Sequence, residues 1–197
     1  MTMKSMTFAL LTSLSVLVSG CGVAEQGPSA SLVSITQLQA GRGSTTTTTF
    51  AGAPLLSDVI TNGSVFDDLG QVTMSMRLKD PGVPGITNAP SPLNDVTFTR
   101  YHVAYRRSDG RNTPGVDVPF AFDGASTFTV SSQGGTATFE LVRHVAKAEA
   151  PLKALVADFT VITTIADVTF FGKDQAGKNV TITGSIQVNF GDFADPT

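Results

Sequence analysis

Val180-Thr181-Ile182-Thr183-Gly184-Ser185-Ile186-Gln187-Val188-Asn189-Phe190 is the stretch that decides the fold. Its even positions hold Val, Ile, Gly, Ile, Val and Phe. Its odd positions hold Thr, Thr, Ser, Gln and Asn. In an extended chain successive side chains point to opposite faces, so this pattern gives one apolar and one polar face. Wound into a helix, the same residues would spread the apolar side chains around all sides. The segment is therefore a half-buried strand, and its polar face carries no charge, so it faces water or a neighbour.

Working outward, residues 173–178 (KDQAGK) form a turn. Residues 158–171 form a second long strand with an expected change of phase: Phe159, Val161 and Ile165 share one face, Val168 and Phe170 the other. Residues 145–156 are the one helical candidate. Pro151 is tolerated only in a first turn, so a short helix or turn starts near Ala150 and turns Leu152 and Leu155 inward. Residues 126–130 and 136–142 flank Ser131-Ser132-Gln133-Gly134-Gly135 and read as a hairpin. Val116, Val118, Phe120 and Phe122 alternate as a strand, placed at a sheet edge because Pro119 lacks an N–H donor.

Residues 94–107 are a long strand whose apolar parity switches. Val96 and Phe98 share one face; Tyr101, Val103 and Tyr105 share the other, so a bulge is expected near Arg100. Ser108-Asp109-Gly110-Arg111 is a turn. Residues 79–92, with four prolines and two glycines, are a long loop. Val72, Met74, Met76 and Leu78 mark a half-buried strand. Residues 31–38 are a weaker strand, and residues 41–49 (GRGSTTTTT) are low-complexity.

Some seven to nine strands, spaced by turns and accompanied by one short helix, predict an all-β fold: a two-sheet, immunoglobulin-like sandwich over residues 31–197. The pattern resembles the immunoglobulin-like or fibronectin-like domains of bacterial envelope proteins. It departs from antibody domains: Trp is absent while Phe numbers 13, and one cysteine excludes a core disulfide. A jelly roll or open barrel is the alternative. The chain carries 13 Lys+Arg against 16 Asp+Glu, a mild acidic excess with no footprint for nucleic acid.

The N-terminus has its own grammar. A polar start with Lys4 precedes an apolar run, Phe8 to Val18, broken only by Thr and Ser. This is the length of a secretory h-region and shorter than the roughly 20 residues of a membrane span. It ends in Val18-Ser19-Gly20-Cys21, which resembles the lipobox of bacterial lipoproteins. The resemblance implies a signal peptide over residues 1–20, cut before Cys21, whose sulfur receives a diacylglyceryl group and whose amine is acylated. Gly22, rather than Asp, implies the outer membrane. Residues 21–30 are then the lipidated cysteine and a flexible tether, small, polar and containing Pro28.

No sequence pattern of a catalytic centre is present: no nucleophile elbow, no Ser-x-x-Lys and no His-Glu-x-x-His. His102 and His144 are far apart in sequence and lack ligand-spaced partners, so neither a metal nor another cofactor is expected. Asp67, Asp68, Asp109, Asp192 and Asp195 lie in expected loops without the spacing of a calcium loop. The densest basic and aromatic cluster is Arg100, Tyr101, Tyr105, Arg106, Arg107 and Arg111. It is a candidate site for an anionic glycan or headgroup, or else a solvated strand end balanced by Asp109 and Asp117.

The expected function is accordingly that of an outer-membrane lipoprotein. Its non-catalytic sandwich binds another envelope component, an unidentified protein or glycan, or supports an assembly, with the membrane as its other partner. A carbohydrate- or small-ligand-binding module using loops such as 79–92 is the second reading, and a hydrolase the third.

Overall fold

The computed structural model describes residues 27–44, 47–156 and 158–194. Val18, Ser19, Gly20 and Cys21 lie outside them. The alternation at residues 180–190 produces a strand of Asn179–Gly191, the last of ten among the described residues. In chain order the elements are β1 (Ser31–Gly41), β2 (Leu55–Asp58), β3 (Asp68–Leu78), β4 (Gly82–Val83), β5 (Ile86–Thr87), β6 (Val96–Arg106), β7 (Phe122–Val130), β8 (Gly135–Val142), α1 (His144–Lys147), β9 (Ile162–Asp174) and β10 (Asn179–Gly191).

The strands form an all-β sandwich. One sheet has the order β1-β3-β8, the other β2-β10-β9-β6-β7, and β4-β5 is a separate small hairpin. This is an immunoglobulin-like arrangement. β1, β3 and β8 take the places of strands A, B and E; β6, β9 and β10 take those of C, F and G. All pairings within the two sheets are antiparallel except β2, which runs parallel to β10 along its outer edge.

The inward residues meet in an aromatic core. Phe170 on β9 lies 5.3 Å from Phe139, 6.0 Å from Phe128 and 6.3 Å from both Phe98 and Tyr101, ring centre to ring centre. These rings supply the bulk that a tryptophan supplies in antibody domains. Two hydrogen bonds tie the sheets together across the core. The Tyr105 hydroxyl donates to the Leu141 carbonyl at 2.6 Å, and the Tyr101 hydroxyl accepts the Glu140 N–H at 3.2 Å. Gly124 on β7 is required by this packing, because a Cβ there would stand 2.2 Å from the Tyr101 ring.

The expected bulge is present: the registers of β6 with β7 and β9 both shift between Phe98 and Arg100. Other expectations are corrected. Residues 116–121 form no strand, because the Thr113 carbonyl accepts from the N–H groups of Val116, Asp117 and Val118 and curls the chain. Val118 is buried there, while Val116 and Phe120 are exposed.

β7 and β8 are not a hairpin. Ser131 and Gly134 make one bridge, after which the chain crosses to the other sheet, so β7 pairs β6 and β8 pairs β3. β9 does not change phase: Thr164, Ala166, Val168 and Phe170 all face inward, and Phe159 and Val161 lie exposed before it begins. The short helix or turn expected near Ala150 is present as the 3-10 turn Leu152–Leu155, with both leucines buried, and a separate helical turn, α1, precedes it at His144.

Residues 27–30, read as tether, are docked on the sandwich. Ser29 is buried and accepts the Ser31 N–H at 3.0 Å, and the Lys79 ammonium donates to the Gly27 carbonyl at 2.8 Å. Small size let this segment pass for a linker, and the same small size lets it pack closely.

Candidate functional site

The uncharged residues of β10 lie on the outer face of the five-stranded sheet, and their neighbours have the same character. Thr169 and Thr183 share a hydrogen bond at 2.9 Å across β9 and β10, as do Thr97 and Thr129 across β6 and β7. Threonine suits this position because its branched Cβ fits the pleat and its hydroxyl bonds a cross-strand partner.

The arginines and aspartates on this face are paired. Arg106 donates to Asp167 at 2.6 Å, and Ser185 donates to the same carboxylate at 2.5 Å. Burial raises the Asp167 pKa, but the hydrogen bonds from Arg106 and Ser185 and the Arg106 charge outweigh it, leaving it below the usual range. Arg100 donates to Asp123 at 2.8 Å. What remains is a broad, nearly neutral hydrogen-bonding surface. Four inter-strand gaps of about 4.8 Å and ten residues of about 3.3 Å make it roughly 19 by 33 Å. That is about 600 Å², close to the roughly 800 Å² that each partner contributes to a standard protein interface.

One end of this face is concave. An open groove of about 310 Å³ is lined by Thr97, Thr99, Arg100, Phe171, Lys173 and Gln175, among others. The Arg100 guanidinium stacks 4.0 Å from the Phe171 ring centre. The bulge at residues 98–100 leaves Thr99 and Arg100 both exposed, which puts the two side chains beside the groove.

The basic and aromatic cluster read from the sequence is divided by the sheet. Tyr101 and Tyr105 face the core, buried beneath β6, with burial raising both hydroxyl pKa values. Arg100 and Arg106 lie on the opposite face. Arg107 and Arg111 converge instead on Asp109 at the following turn, at 2.6 and 2.9 Å, and the Arg107 hydrogen bond holds that carboxyl well below its ordinary range. Of the six residues only Arg100 lines the groove; Phe171, Lys173 and the threonines were missed. Their signal was present in the odd-numbered parity of β9.

Each histidine meets one carboxylate. His102 Nδ1 is 3.3 Å from Asp123, and His144 Nδ1 is 2.8 Å from Asp67. The His144 side chain is 58% exposed. Among the described residues, no group of three or more His, Cys, Asp or Glu side chains is placed to hold a metal.

A dry ion pair lies at the α1 end of the sandwich. Lys147 Nζ is 2.9 Å from Asp68 Oδ2, with 1% and 0% of the two side chains exposed. Asp68 also accepts the Ser57 hydroxyl at 2.5 Å and the Gly43 N–H at 2.8 Å. Burial nevertheless holds the Asp68 pKa above its ordinary value, against the pull of Lys147 and these donors. Nearby, Asp58 accepts from Arg42, from the Thr61 hydroxyl at 2.6 Å and from the Phe193 N–H at 2.9 Å. Asp68 ties β3 to β2 and α1, and Asp58 ties β2 to the segments that follow β1 and β10, so the cluster is structural.

No family model, curated protein or solved structure matches the chain. The functional reading therefore rests on its own residues. Among those described, no helix is long and apolar enough to cross a membrane.

Proposed function

We propose that this protein is an outer-membrane lipoprotein, anchored through Cys21, whose non-catalytic sandwich binds another cell-envelope protein through the outer face of the five-stranded sheet. The observation that carries the reading is that face. It is broad, its arginines and aspartates are mutually paired, and its hydroxyl and amide groups are ready to exchange water for a partner's hydrogen bonds. A partner meeting it covers Arg100, Arg106, Asp123 and Asp167 as ready-made ion pairs, which lowers the desolvation cost of burying a polar surface. The anchor is supported by the lipobox resemblance at Val18-Ser19-Gly20-Cys21.

The groove at Arg100 and Phe171 favours a second reading, a carbohydrate- or small-ligand-binding module. A cation stacked on an aromatic ring beside threonine hydroxyls suits an anionic sugar. The hydrolase reading has less support, since each histidine meets a single carboxylate at the surface.

The test is site-specific photocrosslinking in the native envelope. A photoreactive residue replaces Thr183 on the proposed face, or Thr138 on the outer face of the other sheet as the control. A discrete protein adduct from position 183 that is absent from position 138 is expected. Adducts of equal yield at both positions, or none at 183, overturn the proposal.

A further inference from the structure

The end of the sandwich where the described chain begins carries a group of exposed apolar side chains. Gly27 is held there by Lys79, and Ala30 accepts the Lys79 N–H at 2.9 Å. Immediately beyond Lys79 the chain makes the β4-β5 hairpin. Pro84 and Gly85 form its turn, with Gly85 at φ 90, a conformation glycine adopts without strain. Val83 and Ile86 are register partners and so share one face of the hairpin, 59% and 74% exposed.

Leu93, 68% exposed, lies at the same end of the sandwich, in the 3-10 turn Pro92–Asn94 that leads into β6. That turn is fastened to the start of β1, because the Ser31 hydroxyl donates to the Asn94 carbonyl at 2.6 Å. The hairpin is closed by hydrogen bonds within its own segment. Asp80 accepts the Gly82 N–H at 2.9 Å, and the Asn88 N–H donates to the Pro81 carbonyl at 3.0 Å. Well-supported backbone thus holds Val83, Ile86 and Leu93 out in solvent.

The length of chain before Gly27 indicates what covers them. Six residue steps separate Cys21 from Gly27, which reach at most about 20 Å when fully extended. A lipid on Cys21 therefore keeps this end of the sandwich against the bilayer. We infer that the β4-β5 hairpin and Leu93 form a membrane-contact tip, with Val83, Ile86 and Leu93 entering the lipid headgroup boundary. The inference rests on the anchored reading above and adds an orientation to it. The sandwich stands on this tip with its long axis away from the bilayer, and the 158–161 segment is distal. β9, whose start follows that segment, spans about 40 Å at about 3.3 Å per residue.

The chain contains no tryptophan, so a single introduced Trp reports from one place. The protein carrying Ile86→Trp, or Leu93→Trp as a second reporter, is purified from membranes. It is reconstituted into phosphatidylethanolamine–phosphatidylglycerol vesicles with and without brominated acyl chains. Phe159→Trp, at a fully exposed position of the distal end, is the control. Brominated lipid is expected to remove roughly half or more of the emission at positions 86 and 93, as for side chains about 5–10 Å into the interface, and to leave position 159 unchanged. Vesicle flotation separates the two ways of failing. Protein that floats but shows equal quenching at all three positions, or none, overturns the membrane tip alone. Protein that does not float overturns the tip and the anchored reading together.

Discussion

Removing Lys147 should destabilise the domain in a way that depends on pH, and removing Asp68 should do so with the opposite dependence. Lys147→Met strands the Asp68 carboxylate in a site with no exposed surface. The stranded group avoids its charge by taking a proton, which caps the cost. From an ordinary value of 3.8, protonation at pH 7 costs about 4 kcal/mol at about 1.4 kcal/mol per unit. At pH 5 the cap falls to about 1.6 kcal/mol.

Asp68→Asn strands the ammonium instead. An ordinary lysine loses its proton near pH 10.4, so that cap is about 4.6 kcal/mol at pH 7 and about 2 at pH 9. Urea unfolding of each variant at pH 5, 7 and 9 measures both trends. The double variant should lose less at pH 7 than the sum of the singles, because replacing a buried pair with neutral groups is often close to neutral while breaking one is costly. Losses below about 1 kcal/mol at every pH, or losses that do not vary with pH, would refute the reading of a dry and committed pair.

Two further outcomes follow from the core and from the sheet ends. Tyr105→Phe removes the donor to the buried Leu141 carbonyl and should lower stability by about 1–3 kcal/mol with the fold unchanged, measured by urea unfolding; a loss under 0.5 kcal/mol contradicts the sheet-bridging role. Asp167 and Asp174 have pKa values below the ordinary carboxylate range, so their stabilisation is present above about pH 3.8 and is lost as pH falls through those lower values. Asp68, held high, has the opposite sign, and stability gains from it as pH falls through its raised value. Circular dichroism across pH 2 to 7 should therefore show tertiary structure kept down to about pH 4; loss between pH 7 and 5 contradicts this balance.

Much of the architecture was legible because period-two alternation reports directly on burial. Val180 to Phe190, Val72 to Met76 and the parity switch at Arg100 all express it. The pattern failed where an alternation had another cause. Val118 is buried by a turn around the Thr113 carbonyl, and Phe159 and Val161 resemble a strand start but stand outside the sheet. The crossing between β7 and β8 was illegible because a short glycine turn serves a hairpin and a change of sheet equally well.

The candidate surface was half legible. The uncharged face of β10 was plain, and the grouping of Tyr101 and Tyr105 with Val103 already placed them inside. Counting them with the arginines ignored that parity. Phe171 was overlooked because an aromatic residue beside Phe170 reads as core. The Lys147–Asp68 pair joins residues distant in the chain, and no local pattern announces it.

The anchor at Cys21 underlies the proposed function and the membrane tip alike, and its most direct test is metabolic labelling with an alkyne fatty acid. Label on the wild-type protein and none on Cys21→Ser is the expected result. Label retained by Cys21→Ser, or absent from the wild type, would contradict it.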